Sequence, residues 1–519
     1  MSKVSKAEQS IVWNLTCSVI NLLTSLAESQ EDIVEAISNL HTIITFFFGL
    51  LSHTVTPGDV QNEALSCLMT LTEDNKPLAQ QISNSKDWLT RLFQIKDGGD
   101  FGAIAACGVL HNIFRCMQWF DHNTEKEGMS DAVLLPTLVN AMEKTDSQRN
   151  GINGDINKTS HSTPDRILQL ALEITASIAT SLQEALEHGS RNEKKFEGFG
   201  DEIEIDNEMA VEDDGLKMEE EHSDEMDSED IDVDMEFVTG DGPDEDETSI
   251  EEVTLDRLVR HAAPKILLLA RTYQDLPVKP DSIQSYALSA LNNIAWTVSS
   301  IDFTTGDSIL KSFWSALAQR IWNMIVSPVL ASNTADIDLA SSITSLAWAL
   351  SRSVQGAIEI QLNEQRKFMA LYEASKTMNQ SYSNGKKVPG DNDDAFQSLG
   401  VKSIGVLGIL ALNPAPVELN REIGCFLIGV LDALPDTKPA EAVEALNQIF
   451  DIYADKSYAF DEAVFWGHDF YKHLEDVLPK VKKMAKSIDK RKFMELRSRA
   501  DEAVLNLPRF LRYKQEEKR

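Results

Sequence analysis

Ala287–Ile294 reads ALSALNNI, and the same eight-residue frame returns as ALSCLMTL at Ala64–Leu71, ACGVLHNI at Ala106–Ile113, SIGVLGIL at Ser403–Leu410 and AVEALNQI at Ala442–Ile449. A small residue opens the frame, Leu takes its fifth place, and Ile or Leu its eighth. Residues four and seven apart fall on one side of a helix, so the frame predicts an amphipathic helix whose small first residue admits a close neighbour. Looser copies open at Val19 (VINLLTSL), Ala171 (ALEITASI) and Ser342 (SITSLAWA). Successive starts lie 45, 42, 65, 116, 55, 61 and 39 residues apart. The short spacings match the period of HEAT and armadillo repeats, roughly 40–47 residues. The long ones contain insertions: KTDSQRNGINGDINKTSHSTP at 144–164, an acidic tract, and NQSYSNGKKVPGDNDDA at 379–395. Strand signals are nearly absent. The expected fold is all-α, an armadillo/HEAT-like α-solenoid of stacked helical repeats with a long acidic insertion.

Working outward, residues 1–190 read as N-terminal repeats, 191–253 as an acidic, largely disordered insertion with a short helix near 227–238, and 254–519 as C-terminal HEAT-like repeats. The charge is segregated. The chain carries −35 overall, yet residues 201–252 hold 26 Asp and Glu against the single basic Lys217, while 480–519 hold 14 Lys and Arg against 6 acids. A solenoid needs a polar repeat over its last apolar face. Residues 480–519 are expected to supply it as basic capping helices built around Met484, Ile488, Phe493, Leu496, Ala500 and Leu507. Ahead of residue 19 no cap is visible, so an open N-terminal face, or a start inside a longer array, is expected. No run of 18 uncharged apolar residues occurs, so no membrane span is expected. Asn14, Thr16, Ser18 and Asn21 interrupt the first apolar stretch, which argues against a signal peptide. Five scattered cysteines without CxxC spacing (Cys17, Cys67, Cys107, Cys116, Cys425) fit core packing in a reducing compartment.

Catalytic chemistry is hard to find. HExxH and Walker A sequences are missing from the chain. His468 and His473 stand five apart, off the spacing of a helical metal pair. His111 reads as a satisfied core or groove histidine. Asp230, Asp232 and Asp234 imitate the start of a calcium loop, but Met235 takes the place of its glycine and Asp241 that of its last glutamate. Solvated carboxylates in a flexible tract keep ordinary pKa values and do not form an acid–base pair. The expectation is a protein with no catalytic residue, metal or cofactor.

Two features point to protein binding. In the acidic tract, Ile231, Val233, Met235, Phe237 and Val238 interleave with Asp227, Glu229, Asp230, Asp232, Asp234 and Glu236. The spacing fits a helical face and a strand equally. In either form the segment would present a row of carboxylates resembling the phosphate line of a nucleic acid, suited to a basic partner that normally grips RNA. The same field argues against direct nucleic-acid binding. In the repeats, Asn112, Asn293 and Asn447 could pair with the backbone of an extended peptide, and Trp296 and Trp348 could form pockets for its side chains; ordinary core packing is the competing reading for both tryptophans.

WNLTCSVINLLTSLAE early in the chain, an insertion ending near DSEDIDVDMEFVTGDG, then TLDRLVRHAAPKILLLA and ALSALNNIAWTVSS resemble the symportin family. The resemblance spans essentially the whole chain. It implies a HEAT/armadillo chaperone and transport adaptor for two 5S RNA-binding ribosomal proteins of the large subunit. The groove of the N-terminal repeats would hold a basic peptide of one client. The acidic insertion, Asp227 to Phe237 in this sequence, would cover the RNA-binding surface of the other. It further implies synchronised nuclear import, shuttling between cytoplasm and nucleus, a role in ribosome assembly, and an importin bound through a proline-tyrosine signal ahead of the first repeats. This sequence opens with MSKVSKAEQS and enters a repeat almost at once, so that signal and those first repeats are expected to lie outside it. A monomer is expected. The alternative is an importin-type receptor or adaptor reading basic localisation signals in the same groove; a scaffold for an enzyme, such as a phosphatase regulatory subunit, is a third class.

Overall fold

The computed structural model describes residues 5–121, 128–151, 164–193, 253–272, 282–301, 303, 308–332, 336–382 and 394–518. Nine helices lie side by side in chain order: Lys6–Ala27, Gly58–Thr72, Phe101–Met117, Pro164–Glu193, Ile283–Ser299, Ile337–Ser353, Leu399–Leu410, Pro439–Ile452 and Met494–Lys518. Each packs on the next. A second set of helices, including His41–Ser52, Lys86–Lys96, Gln365–Tyr382, Val417–Asp432 and Phe470–Ser487, packs against this ladder. The described residues contain no strand. The protein is an all-α solenoid of helical repeats.

The frame is the spine of the ladder. Ala64, Leu68, Leu71, Ala106, Leu110, Ile113, Ala287, Leu291, Ile294, Ala442, Leu446 and Ile449 are all fully buried. Side-chain caps set several starts: Ser5, Asp100, Ser282, Asp336 and Ser398 each accept a hydrogen bond from a backbone N–H of the first turn, satisfying a donor that has no helical partner. Two copies of the frame depart from expectation. Ser342 is exposed, although Leu346 and Ala349, at the fifth and eighth places of its frame, are fully buried. The Val19 copy leaves Val19 and Leu26 exposed.

Repeats before and after the insertion belong to one compact unit, Met1–Glu187 with Glu252–Arg519; His188–Glu251 form a second. The polar segments at 144–164 and 379–395 are partly helical, because the helices Leu135–Gly151 and Gln365–Tyr382 run into them; the rest of each falls largely outside the described residues. Of the capping residues, Met484, Ile488, Ala500 and Leu507 are buried, but Phe493 is half exposed because it lies in the turn before Met494–Lys518. Cys67 and Cys107 are core residues, Cys17 and Cys116 half-buried, and Cys425 is exposed, contrary to a packing role for all five. By length and apolarity alone, Lys6–Ala27 could cross a membrane, which differs from the expectation of no span. In this structure it is the first rung of the ladder, with Ile20 and Ala27 buried.

Candidate functional site

The acidic candidates Asp227, Glu229, Asp230, Asp232, Asp234, Met235, Glu236 and Phe237 lie outside the described residues. Where the chain resumes, it is pinned: the Thr254 backbone N–H donates to the Asp121 carboxylate at 2.6 Å, and Arg257 donates to the Ala132 carbonyl.

Asn112 and Asn293 occupy the same frame position and do the same thing. Asn112 Nδ2 donates to the Met69 carbonyl (2.9 Å) and the Thr72 hydroxyl (3.2 Å) of the preceding ladder helix. Asn293 Nδ2 donates to the Ala176 carbonyl (3.4 Å) and the Thr180 hydroxyl (3.0 Å) of its own preceding helix. Amide donors expected to read a peptide are therefore committed to holding repeats together. The network continues from Asn293 to Asn292 and on to Ser345 of the next helix.

Trp296 and Trp348 are each half-buried and meet edge to face, ring centroids 5.5 Å apart. Trp348 also lies against Gly405 of the next ladder helix, with its indole Nε1 buried and unpaired. Arg352, unnoticed in the sequence, stacks on Trp296 at 5.6 Å. Its charge also reaches Glu444 and Asp451. Asn447 is exposed between Leu446 and Gln448, both buried. Thus Trp296, Trp348 and Arg352 form one aromatic and cationic patch on two rungs, with the acids of the Pro439–Ile452 helix near it. Glu444 interrupts an apolar frame at its third place, and that was the available signal. In the N-terminal half, Arg115 links Asp74 (3.3 Å) to Glu184 (3.5 Å), joining ends of neighbouring rungs. His111 is a satisfied core residue, bonded to Asp131 and Ser177 at 2.9 Å each.

Burial holds the carboxyls of Glu441 and Glu444 above the ordinary range, against opposing nearby cations. A native state that keeps protons the unfolded chain releases loses stability as pH rises. The loss begins near the unfolded glutamate value, about 4.3. Glu444 accepts a 2.8 Å bond from Gln448, which a glutamine at 444 can also accept. Glu444→Gln should therefore melt above the unmodified protein at pH 7.5 and together with it at pH 4. Thermal melts across this range check the prediction.

A cavity of about 660 Å³ lies on the C-terminal half, lined by Ile360, Leu362, Pro416, Leu419, Cys425 and His468 among others. Its charged rim is self-paired, Arg366 with Glu422 at 2.5 Å and Arg421 with Glu418. Among the described residues no group of three or more His, Cys, Asp or Glu side chains is placed to hold a metal ion.

A family profile described as "SYO1-like, TPR repeats" matches residues 253–518. The chain is 40% identical to Symportin 1 of Chaetomium thermophilum over 547 aligned positions, covering 99% of this chain and 78% of that protein. It is 25% identical to the armadillo repeat protein involved in nucleocytoplasmic transport Syo2 of Schizosaccharomyces pombe, covering 96% and 75%. With Synchronized import protein 1 of Saccharomyces cerevisiae it shares 27% identity, covering 53% and 40%.

Proposed function

Because this chain belongs to the symportin family of transport-related repeat proteins, we propose that it is a non-enzymatic chaperone and transport adaptor for two basic, 5S RNA-binding ribosomal proteins of the large subunit. It binds them in the cytoplasm, shields their RNA-binding surfaces, and accompanies them into the nucleus for ribosome assembly. The observation that carries this reading is the 40% identity to Symportin 1 along 99% of the chain, which takes in the acidic insertion as well as the repeats. The names of the two yeast relatives, which refer to nucleocytoplasmic transport and synchronized import, support the transport part.

The mechanism rests on charge. The 26 carboxylates within residues 201–252 form a dense negative field that speeds capture of a basic partner and weakens as salt screens it. The segment Asp227–Phe237 covers the RNA-binding face of one client. An extended basic peptide of the other lies along the ladder, near Arg115-linked acids or the Trp296–Trp348 patch, and an importin engages the loaded complex.

The test is binding of the recombinant RNA-binding client to the full chain and to a chain lacking Ser223–Val238, over a salt series. The expected result is binding that fades with salt and falls at least about tenfold on deletion, a change of roughly 1.4 kcal/mol or more. Unchanged binding after the deletion would move the contact to the repeats. Binding of a small GTPase instead of either client would favour an importin-type receptor.

A further inference from the structure

The stripe that carries Trp296 runs over several rungs in the middle of the ladder. Counted from the first residue of each frame, Glu444 takes the third place, Trp348 the seventh, Trp296 and Asp451 the tenth, and Arg352 the eleventh. At 3.6 residues per turn these places fall within one arc of about 100°, away from the first, fifth and eighth. The helix Leu399–Leu410 stands between the tryptophans and the acids, and it has Gly405 and Gly408 on this side. Trp348 lies against Gly405 and Gln448 against Gly408. The rungs therefore close up here, which brings Arg352 within electrostatic reach of acids two rungs away.

Arg352 is exposed and stacks its guanidinium on Trp296, 5.6 Å from the ring centre. Its charge acts on Glu444 and Asp451, yet among the described residues it forms no salt bridge with either. Glu444 accepts from Gln448. Asp451 is exposed and has no hydrogen-bond or ion-pair partner among the described residues. An aromatic face that already holds a guanidinium thus lies beside an acceptor that is still open. The carboxylates repel phosphate and attract cations, so the occupant this stripe fits is a basic side chain.

We propose that Trp296 is a seat for an arginine of an extended basic peptide and that Arg352 is its resident occupant. When the peptide's guanidinium takes the indole face, Arg352 turns to the carboxylates of Asp451 and Glu444. Both cations are then partnered, and the exchange costs little. The seat selects arginine over lysine, because a guanidinium stacks flat on an indole while an ammonium is held more strongly by water. This inference rests on the reading that the chain carries basic clients, and it adds the residue type that the ladder selects.

The test uses the full chain and two probes, Ac-Ser-Arg-Ser-Arg-Ser and its lysine counterpart, each ending in a benzoylphenylalanine photocross-linker. Sites of attachment are mapped by mass spectrometry. The arginine probe should label Ile283–Ser299 or Ile337–Ser353 about threefold or more above the lysine probe. Trp296→Leu should remove that preference, with its circular dichroism unchanged. Arg352→Lys keeps the charge but weakens the resident stack, so it should raise the arginine label on these two helices about twofold or more. Labelling confined to residues 201–252, equal labelling of the two helices by both probes, or a label that Arg352→Lys leaves unchanged or lowers overturns the proposal. Neither probe is a client, so a seat that fails here leaves the client-binding test above to be decided by its own result.

Discussion

Lys514→Met is expected to destabilise the C-terminal repeat by about 3–5 kcal/mol, the range for removing one member of a buried ion pair. Lys514 lies in the last helix with no exposed surface, Nζ 2.6 Å from Asp461 and 3.2 Å from Glu517, and 5.2 Å from the centre of the Phe465 ring. Asp461 is itself buried and opens the π-helical turn Asp461–Trp466. The pair therefore bolts the capping helix to the repeat beneath it. Without the cation, the Asp461 carboxylate is left in a poorly solvating site with its partner gone. The damage should be local, because a repeat array unfolds from its ends. Hydrogen exchange should show protection lost across Met494–Lys518 and retained in the Phe101–Met117 rung. The double variant Lys514→Met/Asp461→Leu should recover most of the loss, since an apolar pair of similar volume is often as stable as the ion pair. A single variant within about 1 kcal/mol of the unmodified protein would show that the pair does not hold the cap.

Gly405→Val is the second large effect. A Cβ at 405 would stand 2.3 Å from Cε2 and 2.6 Å from Nε1 of Trp348, inside any real contact distance. Neither helix can yield cheaply, because Ile404 and Val406 on one side and Leu346 and Ala347 on the other are buried in the ladder. Overpacking of this kind costs about 1–3 kcal/mol, more where the backbone must shift. The indole should be driven off its seat and away from Trp296, so tryptophan fluorescence and the denaturation midpoint should change together. Trp348→Leu in the same chain should restore much of the stability by emptying the seat. A Gly405→Val protein with an unshifted emission spectrum and midpoint would mean that the two rungs are farther apart than this contact requires.

These contacts show where reading the residues stops. The frame at Ala64, Ala106, Ala287 and Ala442 was legible because a helix repeats its faces every 3.6 residues, so burial follows from spacing within a dozen positions. The segregation of charge was visible from composition alone. Asn112 and Asn293 were legible as unusual but not as clamps. Their partners are 40 or more residues away, and for Asn293 and Thr180 the separation of 113 residues includes the whole insertion. Gly405 looks like a poor helix former until Trp348 is laid across it. Arg352 becomes part of a patch only when Trp296 and the acids of the Pro439–Ile452 helix arrive beside it.

By itself, then, the sequence determined the solenoid, its rungs and its charge layout, because periodicity and composition act over a few residues of chain. Only the tertiary structure decided which polar groups are spent within the array and which face outward. A hydrogen bond or a buried ion pair depends on atoms meeting within about 3 Å, and nothing in the local pattern says which distant repeat will bring the partner.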